Sequence, residues 1–228
     1  MKLRQIILDT ETTGIDPKHG HRIIEIGCLE MIDRRLTGEH YHVYINPERE
    51  VDKGAYAVHG IGDEFLQDKP LFAEIFQGFF DFINGAQLII HNAPFDVKFI
   101  DHEFALYDKK IGKVDKYCSI FDTLTYARKK HPGQKNNLDA LCKRYHVDNS
   151  NRDYHGALLD SELLAQVYLA MTGGQGNLFS GGGTQEETGT EEQGTKLAFA
   201  KELPVVMAND TELAEHNAYM AELKREEF

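Results

Sequence analysis

The segment Leu3–Gly14, LRQIILDTETTG, decides the fold and contains the first two candidate site residues. Its short apolar run, residues 3–8, predicts a buried β-strand. Side chains two positions apart on a strand point to the same face, so Asp9 and Glu11 are expected to project together from the end of that strand. α/β sheets usually bind ligands at this edge, and two adjacent buried carboxylates need a compensating cation. Taken alone, Asp-x-Glu more often marks a strand that ends in a polar turn.

Two further strands are predicted next, at Ile23–Met31 and His40–Ile45. The link between them contains the turn-forming residues Asp33 and Gly38. Three consecutive strands with short links indicate an antiparallel three-strand meander. Residues 46–70 are predicted to be irregular.

Strands and helices alternate in the following segment. The predicted elements are a helix at Phe72–Ile83, a strand at Gln87–Ile90, a helix that starts around Asn92 and Pro94, a strand at Tyr117–Phe121, short helices from Thr123 and Leu138, and a helix at Ala157–Met171. A meander followed by alternating strands and helices predicts an α/β domain with a mixed sheet, antiparallel and parallel, flanked by helices.

The chain divides by composition into a domain and a C-terminal tail. The domain is expected to occupy residues 1–173. Residues 174–200 are rich in Gly, Thr, Glu and Gln, which predicts a flexible linker. Residues 201–228 contain an apolar patch between Leu203 and Leu223. A patch beyond a flexible linker has little to pack against, so this segment is expected to dock on a partner.

Composition narrows the class of protein. The 228 residues are 27% charged and 41% hydrophobic, and no apolar run approaches the roughly 20 residues of a membrane span. The N-terminal residues lack the features of a signal peptide. Cys28, Cys118 and Cys142 are far apart and form no Cys-x-x-Cys, which favours reduced thiols over disulfides or a zinc site. We therefore expect a cytoplasmic protein with no membrane partner.

The net charge of −12 is unevenly distributed. Residues 181–228 carry 11 acidic and 4 basic side chains, net −7, which leaves −5 for residues 1–180. This balance disfavours tight non-specific binding to nucleic acid. It remains compatible with a nuclease that holds a strand end through metal ions and gains affinity from partners.

Two more acids and a histidine complete the candidate site. Asp96 and Asp160 are each predicted near the start of a helix, where a carboxylate also interacts favourably with the helix dipole. His155 precedes Asp160 by five residues, which is about 140° of rotation on a continuous helix. We therefore place His155 on the loop before the helix, where a lone histidine is more often a solvent-exposed cap residue.

Taken in order, these residues resemble a known family. Asp9-x-Glu11, Asp96 in HNAPFD, and His155 with Asp160 in HGALLD are similar to the three motifs of the DEDDh family of 3′–5′ exonucleases. The resemblance implies a ribonuclease H-like fold. Each motif is weak alone, but the full set at family-like separations is specific.

The similarity extends beyond the motifs. Tyr56–Ile61, Asn137–Cys142 and His155–Thr172 resemble the members of this family that proofread for bacterial replicative polymerases. The resemblance covers residues 3–179 well and the last thirty residues more loosely. It implies removal of misincorporated nucleotides from a DNA 3′ end at a bacterial replisome.

The family implies a metal-dependent reaction. Two divalent ions, Mg²⁺ or Mn²⁺, would activate a water and stabilise the leaving 3′ oxygen. By resemblance, Asp9 bridges both ions, Glu11 and Asp160 hold the ion on the nucleophile side, and Asp96 acts through water. These ligands also meet the substrate phosphate. His155 would be the general base, because the usual pKa of histidine lies near neutrality.

The resemblance also implies substrate contacts. Val58, His59 and Phe95 are expected to grip and stack the terminal nucleotides, and stacking tolerates any base. Selection of a mismatch would follow from the ease with which an end melts. Phe95 is equally compatible with a core position, and His59 with a bond to a turn carbonyl. Gly54 stands where an acidic side chain is expected from the family, which removes one side-chain contact.

A second motif lies in the linker. Gln175-Gly176-Asn177-Leu178-Phe179 resembles the peptide by which bacterial proteins bind the sliding clamp, with Gln175, Leu178 and Phe179 as the contact residues. A short tethered peptide raises the effective concentration at the primer end. Residues 201–228 are expected to dock on the polymerase (alpha) subunit. A small accessory (theta-like) subunit is a further expected partner.

Two alternatives remain open at this stage. An RNA 3′–5′ exonuclease of the same fold would carry the same catalytic motifs, although the clamp-like peptide favours DNA. A non-catalytic adaptor would retain the fold for its contacts, although it has no physical need for concentrated negative charge.

Overall fold

The computed structural model describes residues 3–150, 152 and 154–173. Five strands form one mixed sheet. They are β1 (Arg4–Thr12), β2 (Ile23–Ile32), β3 (Arg35–Tyr44), β4 (Gln87–Ile90) and β5 (Ser119–Asp122). The strand order is β3-β2-β1-β4-β5, with antiparallel pairing on the β2 side of β1 and parallel pairing on the β4 side. The predicted meander and mixed sheet are confirmed.

Strand β1 is central and buried on both faces. Ile6 and Leu8 pack in one hydrophobic cluster, whereas Ile7 packs in a second cluster on the opposite face. This alternation follows from the period of two along a strand. Asp9 and Glu11 have the same parity as Ile7 and therefore belong to the face of the second cluster.

The predicted start of the third strand is wrong. Strand β3 begins at Arg35, five residues before His40, because the hairpin turn consists only of Asp33 and Arg34. Both turn residues have positive φ, 49° and 64°, as a two-residue type I′ hairpin requires. Gly38, expected in the link, lies within the strand at an irregularity in register. A glycine at φ 93° fits a β-bulge as well as a turn.

The described residues form seven α-helices. They are α1 (Lys53–His59), α2 (Asp63–Leu66), α3 (Phe72–Ile83), α4 (Ala93–Tyr107), α5 (Thr123–Lys130), α6 (Leu138–Tyr145) and α7 (Ala157–Thr172). Helices α1 and α2 contradict the prediction that residues 46–70 are irregular. Helix α1 buries only His59, so it leaves no apolar period in the sequence.

The helices cover both faces of the sheet. Phenylalanines of α3 and α4 fill the first cluster, where the rings of Phe76 and Phe104 lie 5.4 Å apart in an edge-to-face arrangement. Residues of α6 and α7 fill the second cluster, including Leu141, Leu164 and Met171. Helix α7 is buried along most of its length, which explains its weak amphipathic pattern.

Several predictions concern residues outside the described part of the chain. These are the linker at 174–200, the clamp-binding-like peptide and the segment at 201–228. Within the described ranges, no helix combines the length and the apolar character needed to cross a bilayer. The three cysteines are free and buried.

Candidate active site

The four candidate carboxylates and the histidine line one cavity of about 360 Å³ at the carboxyl ends of β1 and β4. They are Asp9, Glu11, Asp96, His155 and Asp160. Ligand atoms of Glu11, His155 and Asp160 lie within 4.8 Å of one another. Residues separated by up to 151 positions in the chain are therefore brought together.

A close contact between β2 and α7 brings Asp160 to the strand that carries Asp9. Gly27 pairs with Asp9 across the two strands. A Cβ atom at Gly27 would lie 2.3 Å from the backbone of Ala157, so only glycine allows the first turn of α7 to rest on the sheet there. Ser161 Oγ donates to the carbonyl of Gly27 over 2.9 Å and fixes the approach.

Glu25 anchors the start of the same helix. Its Oε2 accepts a hydrogen bond from the backbone N–H of Ala157 at 3.1 Å, and its Oε1 lies 2.8 Å from His42 Nε2. Glu25 is 2% exposed and pairs with Glu11 across β1 and β2. It therefore positions α7 and adds a negative charge behind the site.

Asp96 is positioned by the connection between β4 and α4. Asn92 adopts a left-handed conformation, φ 67°, and turns the chain into the helix, which places Asp96 in its first turn. Thr10 Oγ1 donates to Asp96 Oδ1 over 2.7 Å. The carboxyl of Asp96 is thus 2% exposed and tied to β1.

Asp160 has a cationic partner. The Nε and Nη2 atoms of Arg152 donate to its two carboxylate oxygens, each at 2.5 Å. Nη1 of Arg152 also donates to Asp139 at 2.6 Å, so the guanidinium links α6 to α7. The Arg152 side chain is only 6% exposed. A bidentate pair of this kind is geometrically specific as well as strong.

His155 lies on the loop before α7, as predicted. Its backbone N–H donates to the Val58 carbonyl at 3.1 Å, which fixes the loop against α1. Its side chain is 44% exposed, with Nδ1 at 3.3 Å from Asp160 Oδ2 and 2.9 Å from Nη2 of Arg152. The imidazole therefore borders the site and remains open to solvent.

Burial and mutual repulsion perturb the carboxyl groups. Burial raises the pKa of Asp9 well above its ordinary value, and the charges of Asp96 and Glu11 raise it further. Burial, together with the charge of Glu25, raises the pKa of Glu11 to about 8. Burial raises the pKa of Asp96 to about 7, although the bond from Thr10 opposes the shift.

Asp160 shows the opposite behaviour. Burial opposes ionisation there too, but the neighbouring side chains of His155 and Arg152 hold the pKa of Asp160 below its ordinary value. The contacts with His155 and Arg152 together thus outweigh the effect of burial on this carboxylate.

The donor set fits hard divalent ions. Carboxylate oxygens are the ligands such ions prefer, and a cation beside Asp9, Glu11 and Asp96 would stabilise the ionised carboxylates against the burial that raises their pKa values. The guanidinium of Arg152 already supplies positive charge to Asp160 in the same cavity.

The predicted substrate residues line an adjoining cavity of about 320 Å³. Val58, His59 and Phe95 meet there, and the cavity shares Glu11 and Phe95 with the carboxylate cavity. Phe95 also packs against the first core cluster, as expected for a core position, while it lines the cavity. His59 Nδ1 accepts a hydrogen bond from the Ile61 N–H at 3.0 Å, so the ring caps its own turn.

Gly54 lines the same cavity, and a Cβ there would meet open space. The side-chain contact that the resemblance leads one to expect at this position is therefore absent. The clamp-binding residues Gln175, Leu178 and Phe179 lie outside the described part of the chain.

Sequence reasoning missed four residues that build the site. They are Thr10, Glu25, Gly27 and Arg152. Thr10 lies between two predicted site residues, which offered a local signal. The other three act through contacts between distant segments, so the sequence contains no local signal for them.

The fold and the site define a class of protein. The family model described as Exonuclease matches residues 6–168, and the chain belongs to this family. Among individual proteins, the chain is 52% identical over 221 residues to DNA polymerase III subunit epsilon of Escherichia coli (strain K12), covering 94% of this chain and 91% of that protein. It is 56% identical over 177 residues to the same subunit of Rickettsia felis, covering 78% and 77%.

A solved structure supports the fold. The structure of exonuclease X in complex with 5′ overhanging duplex DNA aligns with a TM-score of 0.59 and 23% identity, covering 73% of this chain and 90% of that one. The predicted ribonuclease H-like fold is confirmed.

Proposed function

We propose that this chain is the proofreading 3′–5′ exonuclease subunit of a bacterial DNA polymerase III and removes misincorporated nucleotides from the primer 3′ end. The observation that carries the proposal is the convergence of four carboxylates and His155 in one cavity. That arrangement occurs in a chain 52% identical to a DNA polymerase III subunit epsilon over most of its length.

The carboxylates are the proposed ligands of two divalent ions, Mg²⁺ or Mn²⁺. Asp9, Glu11 and Asp160 would hold one ion, with Asp9 shared by the second and Asp96 acting through water. Bound divalent ions supply an activated water and neutralise charge on the leaving oxygen. The chain itself fixes the ligand positions, through Gly27 for α7 and the bond from Thr10 for Asp96.

His155 is the proposed general base. In the present arrangement Arg152 donates to His155 Nδ1, so the neutral ring carries its hydrogen on Nε2 and has no free lone pair. Proton acceptance at His155 therefore requires Arg152 to leave Nδ1. The Asp160 oxygens that accept from Arg152 are the same oxygens that would hold an ion.

The cavity beside the carboxylates is the proposed site of the terminal nucleotide. Val58 and Phe95 offer apolar surface for a sugar or base, and stacking imposes no base preference. A mismatched terminus needs less unpairing to reach this cavity, which accounts for selection without reading the base.

The tail carries the proposed partner contacts. Residues 201–228 would dock on the alpha subunit of DNA polymerase III, and Gln175, Leu178 and Phe179 would bind the sliding clamp. A small theta-like accessory subunit is a further proposed partner. The relatives are bacterial DNA polymerase III subunits, so the proposed location is the cytoplasmic replisome.

One nuclease assay tests the catalytic proposal. The full chain is expected to release 5′-mononucleotides from single-stranded DNA with added Mg²⁺ or Mn²⁺ and to be inactive with chelator. Asp9→Ala and Asp160→Ala should abolish release. Full activity of either variant would contradict the proposal, and faster cleavage of a matched RNA strand would favour an RNA exonuclease.

A binding assay tests the tail. A chain lacking residues 175–228 should keep its exonuclease activity and lose capture of the alpha subunit and the clamp. Retained capture would place both contacts on the domain. Changing Gln175, Leu178 and Phe179 to Ala should remove clamp binding alone.

A further inference from the structure

A third cavity, of about 440 Å³, extends the active site on the side away from Val58. It shares His91, Asn92 and Asn137 with the carboxylate cavity, and that cavity shares Glu11 and Phe95 with the nucleotide cavity. The three cavities are therefore neighbours, with the carboxylate cavity between the other two, and we call this row of cavities the trough. We call this third part the upstream cavity.

The chemistry of the trough changes from one end to the other. The nucleotide cavity has mainly apolar walls, and the middle is acidic. The upstream cavity is lined by Arg128, Lys135 and several side-chain amides, and no carboxylate of the described residues lines it. This lining, with two cationic side chains and no carboxylate, contrasts with the net charge of −5 over residues 1–180.

The two cations are available to a ligand. Across residues 3–150, 152 and 154–173, neither the guanidinium of Arg128 nor the amine of Lys135 forms an ion pair or a hydrogen bond, and both side chains are exposed. The loop that carries Lys135 is nevertheless fixed. Arg144 donates to the Lys135 carbonyl at 2.8 Å and to Asn136 Oδ1 at 3.0 Å.

His91 forms part of the wall shared by the two cavities, and one of its two ring nitrogens has no hydrogen bond among the described residues. Thr123 Oγ1 donates to the Ile90 carbonyl at 3.2 Å, so it accepts from His91 Nδ1 at 2.9 Å. Nε2 of His91 is buried with no hydrogen-bond partner among the described residues, and the backbone of Asn136 lies beside the ring. A buried ring nitrogen of this kind calls for a polar occupant or its water in the trough.

We propose that the upstream cavity binds the backbone phosphates of the substrate strand immediately 5′ of the scissile bond. This inference rests on the proposed exonuclease function. A strand whose last nucleoside lies by Val58 and Phe95, with its scissile phosphate at the carboxylates, leaves the trough through the upstream cavity. Arg128 and Lys135 then contact phosphate oxygens without reading the bases.

Charge removal at the two cations tests the proposal. The double variant Arg128→Gln with Lys135→Gln is compared with Lys129→Gln with Lys143→Gln, which removes the same charge from exposed positions on α5 and α6 that do not line the cavity. Rates are measured on a single-stranded oligonucleotide of about eight nucleotides and on an aryl ester of thymidine 5′-monophosphate, which has no upstream phosphate.

The cavity variant is expected to raise KM for the oligonucleotide about tenfold while kcat changes less than about twofold. The ester should be affected less than about twofold. The dependence of log(kcat/KM) on log salt should weaken by about 0.7 for each phosphate that the variant no longer neutralises. The control variant should match the unaltered chain apart from a small general charge effect, and unfolding curves should coincide for all three proteins.

Equal KM values for the two double variants would overturn the proposal, as would equal losses on oligonucleotide and ester. Failure of the unaltered chain to cleave either substrate would instead contradict the proposed function, and with it this inference. Replacing single phosphodiester linkages by methylphosphonates locates the contact. Replacement at the first upstream linkages should raise KM for the unaltered chain but not for the cavity variant, which has already lost this contact.

Discussion

Asp96 and Asp160 have the same setting in the sequence and opposite electrostatic states. Each lies in the first turn of a helix, and they are 2% and 4% exposed. Burial raises the pKa of Asp96 to about 7, whereas Arg152 and His155, acting against burial, lower the pKa of Asp160. The difference is the pair of side chains beside Asp160, His155 and Arg152, whose guanidinium lies 2.5 Å away. Burial therefore raises the pKa of Asp96, whereas these two neighbours reverse the effect of burial at Asp160.

The largest expected effect comes from moving Asp160 on α7 away from Asp9 on β1. Gly27→Ala places a Cβ 2.3 Å from the backbone of α7 and should push Asp160 away from Asp9. We expect a loss of about 3 kcal/mol in unfolding free energy, as for severe overpacking, together with weaker Mn²⁺ binding. Denaturant unfolding and Mn²⁺ titration measure both. Gly54→Ala, where a Cβ meets open space, is the control, and equal stability of the two variants would contradict the packing argument.

The next effect distinguishes the two aspartates directly. In chelator at pH 8, Asp160→Asn should cost about 2 kcal/mol of unfolding free energy, because it weakens the charged bonds of Arg152. Asp96→Asn should instead add about 1 kcal/mol, because it removes a buried carboxylate whose pKa is raised to about 7. Both variants should lose nuclease activity. Stability changes of the same sign would show that Arg152 does not distinguish the two positions.

The pH dependence of stability gives an effect of comparable size. Glu11 has a pKa of about 8 in the folded chain against an ordinary 4.5, so the folded state keeps a proton that the unfolded state has released between these values. Unfolding free energy contributed by Glu11 therefore falls as pH rises through this window. We expect Glu11→Gln to gain about 3 kcal/mol relative to the unaltered chain as the pH rises from 5 to 8 in chelator.

Comparison with Glu11→Gln cancels the contributions of the other titrating groups. Divalent ions should remove most of the difference in the unaltered chain, because they stabilise the ionised carboxylate. A difference between the two proteins that stays constant from pH 5 to pH 8 would exclude a raised pKa at Glu11.

The smallest effect concerns the hydrogen bond that partly offsets the raised pKa of Asp96. Thr10→Val removes the hydroxyl that donates to Asp96 Oδ1 at 2.7 Å. We expect a loss of about 1 kcal/mol and a further rise in the pKa of Asp96, measured by carboxyl titration in chelator. Thr125→Val, which removes an exposed bond to Asp122, is the matched control. An unchanged Asp96 titration would mean that the hydroxyl does not hold the carboxylate.

Local patterns predicted most of the elements. The apolar run before Asp9 predicted β1, and the spacing of phenylalanines predicted α3 over Phe72–Ile83. The errors fell where a segment buries little. Helix α1 contacts the domain mainly through His59, and β3 is an edge strand with exposed residues on both sides of Gly38, so neither has an apolar period. The roles of the site residues remain proposals.

The sequence by itself predicted which residues meet in the carboxylate cavity, because Asp9 and Glu11 share a strand face and Asp96, His155 and Asp160 stand in motifs with recognisable spacing. Only the tertiary structure decided their environment. The contact of α7 with Gly27, the pairing of Arg152 with Asp160 and the basic upstream cavity each join segments that are distant in the chain. Periodicity is a property of residues that are close in the sequence. The electrostatic field at a side chain and its close packing contacts depend on which surfaces meet, and that is fixed only when the sheet and helices pack.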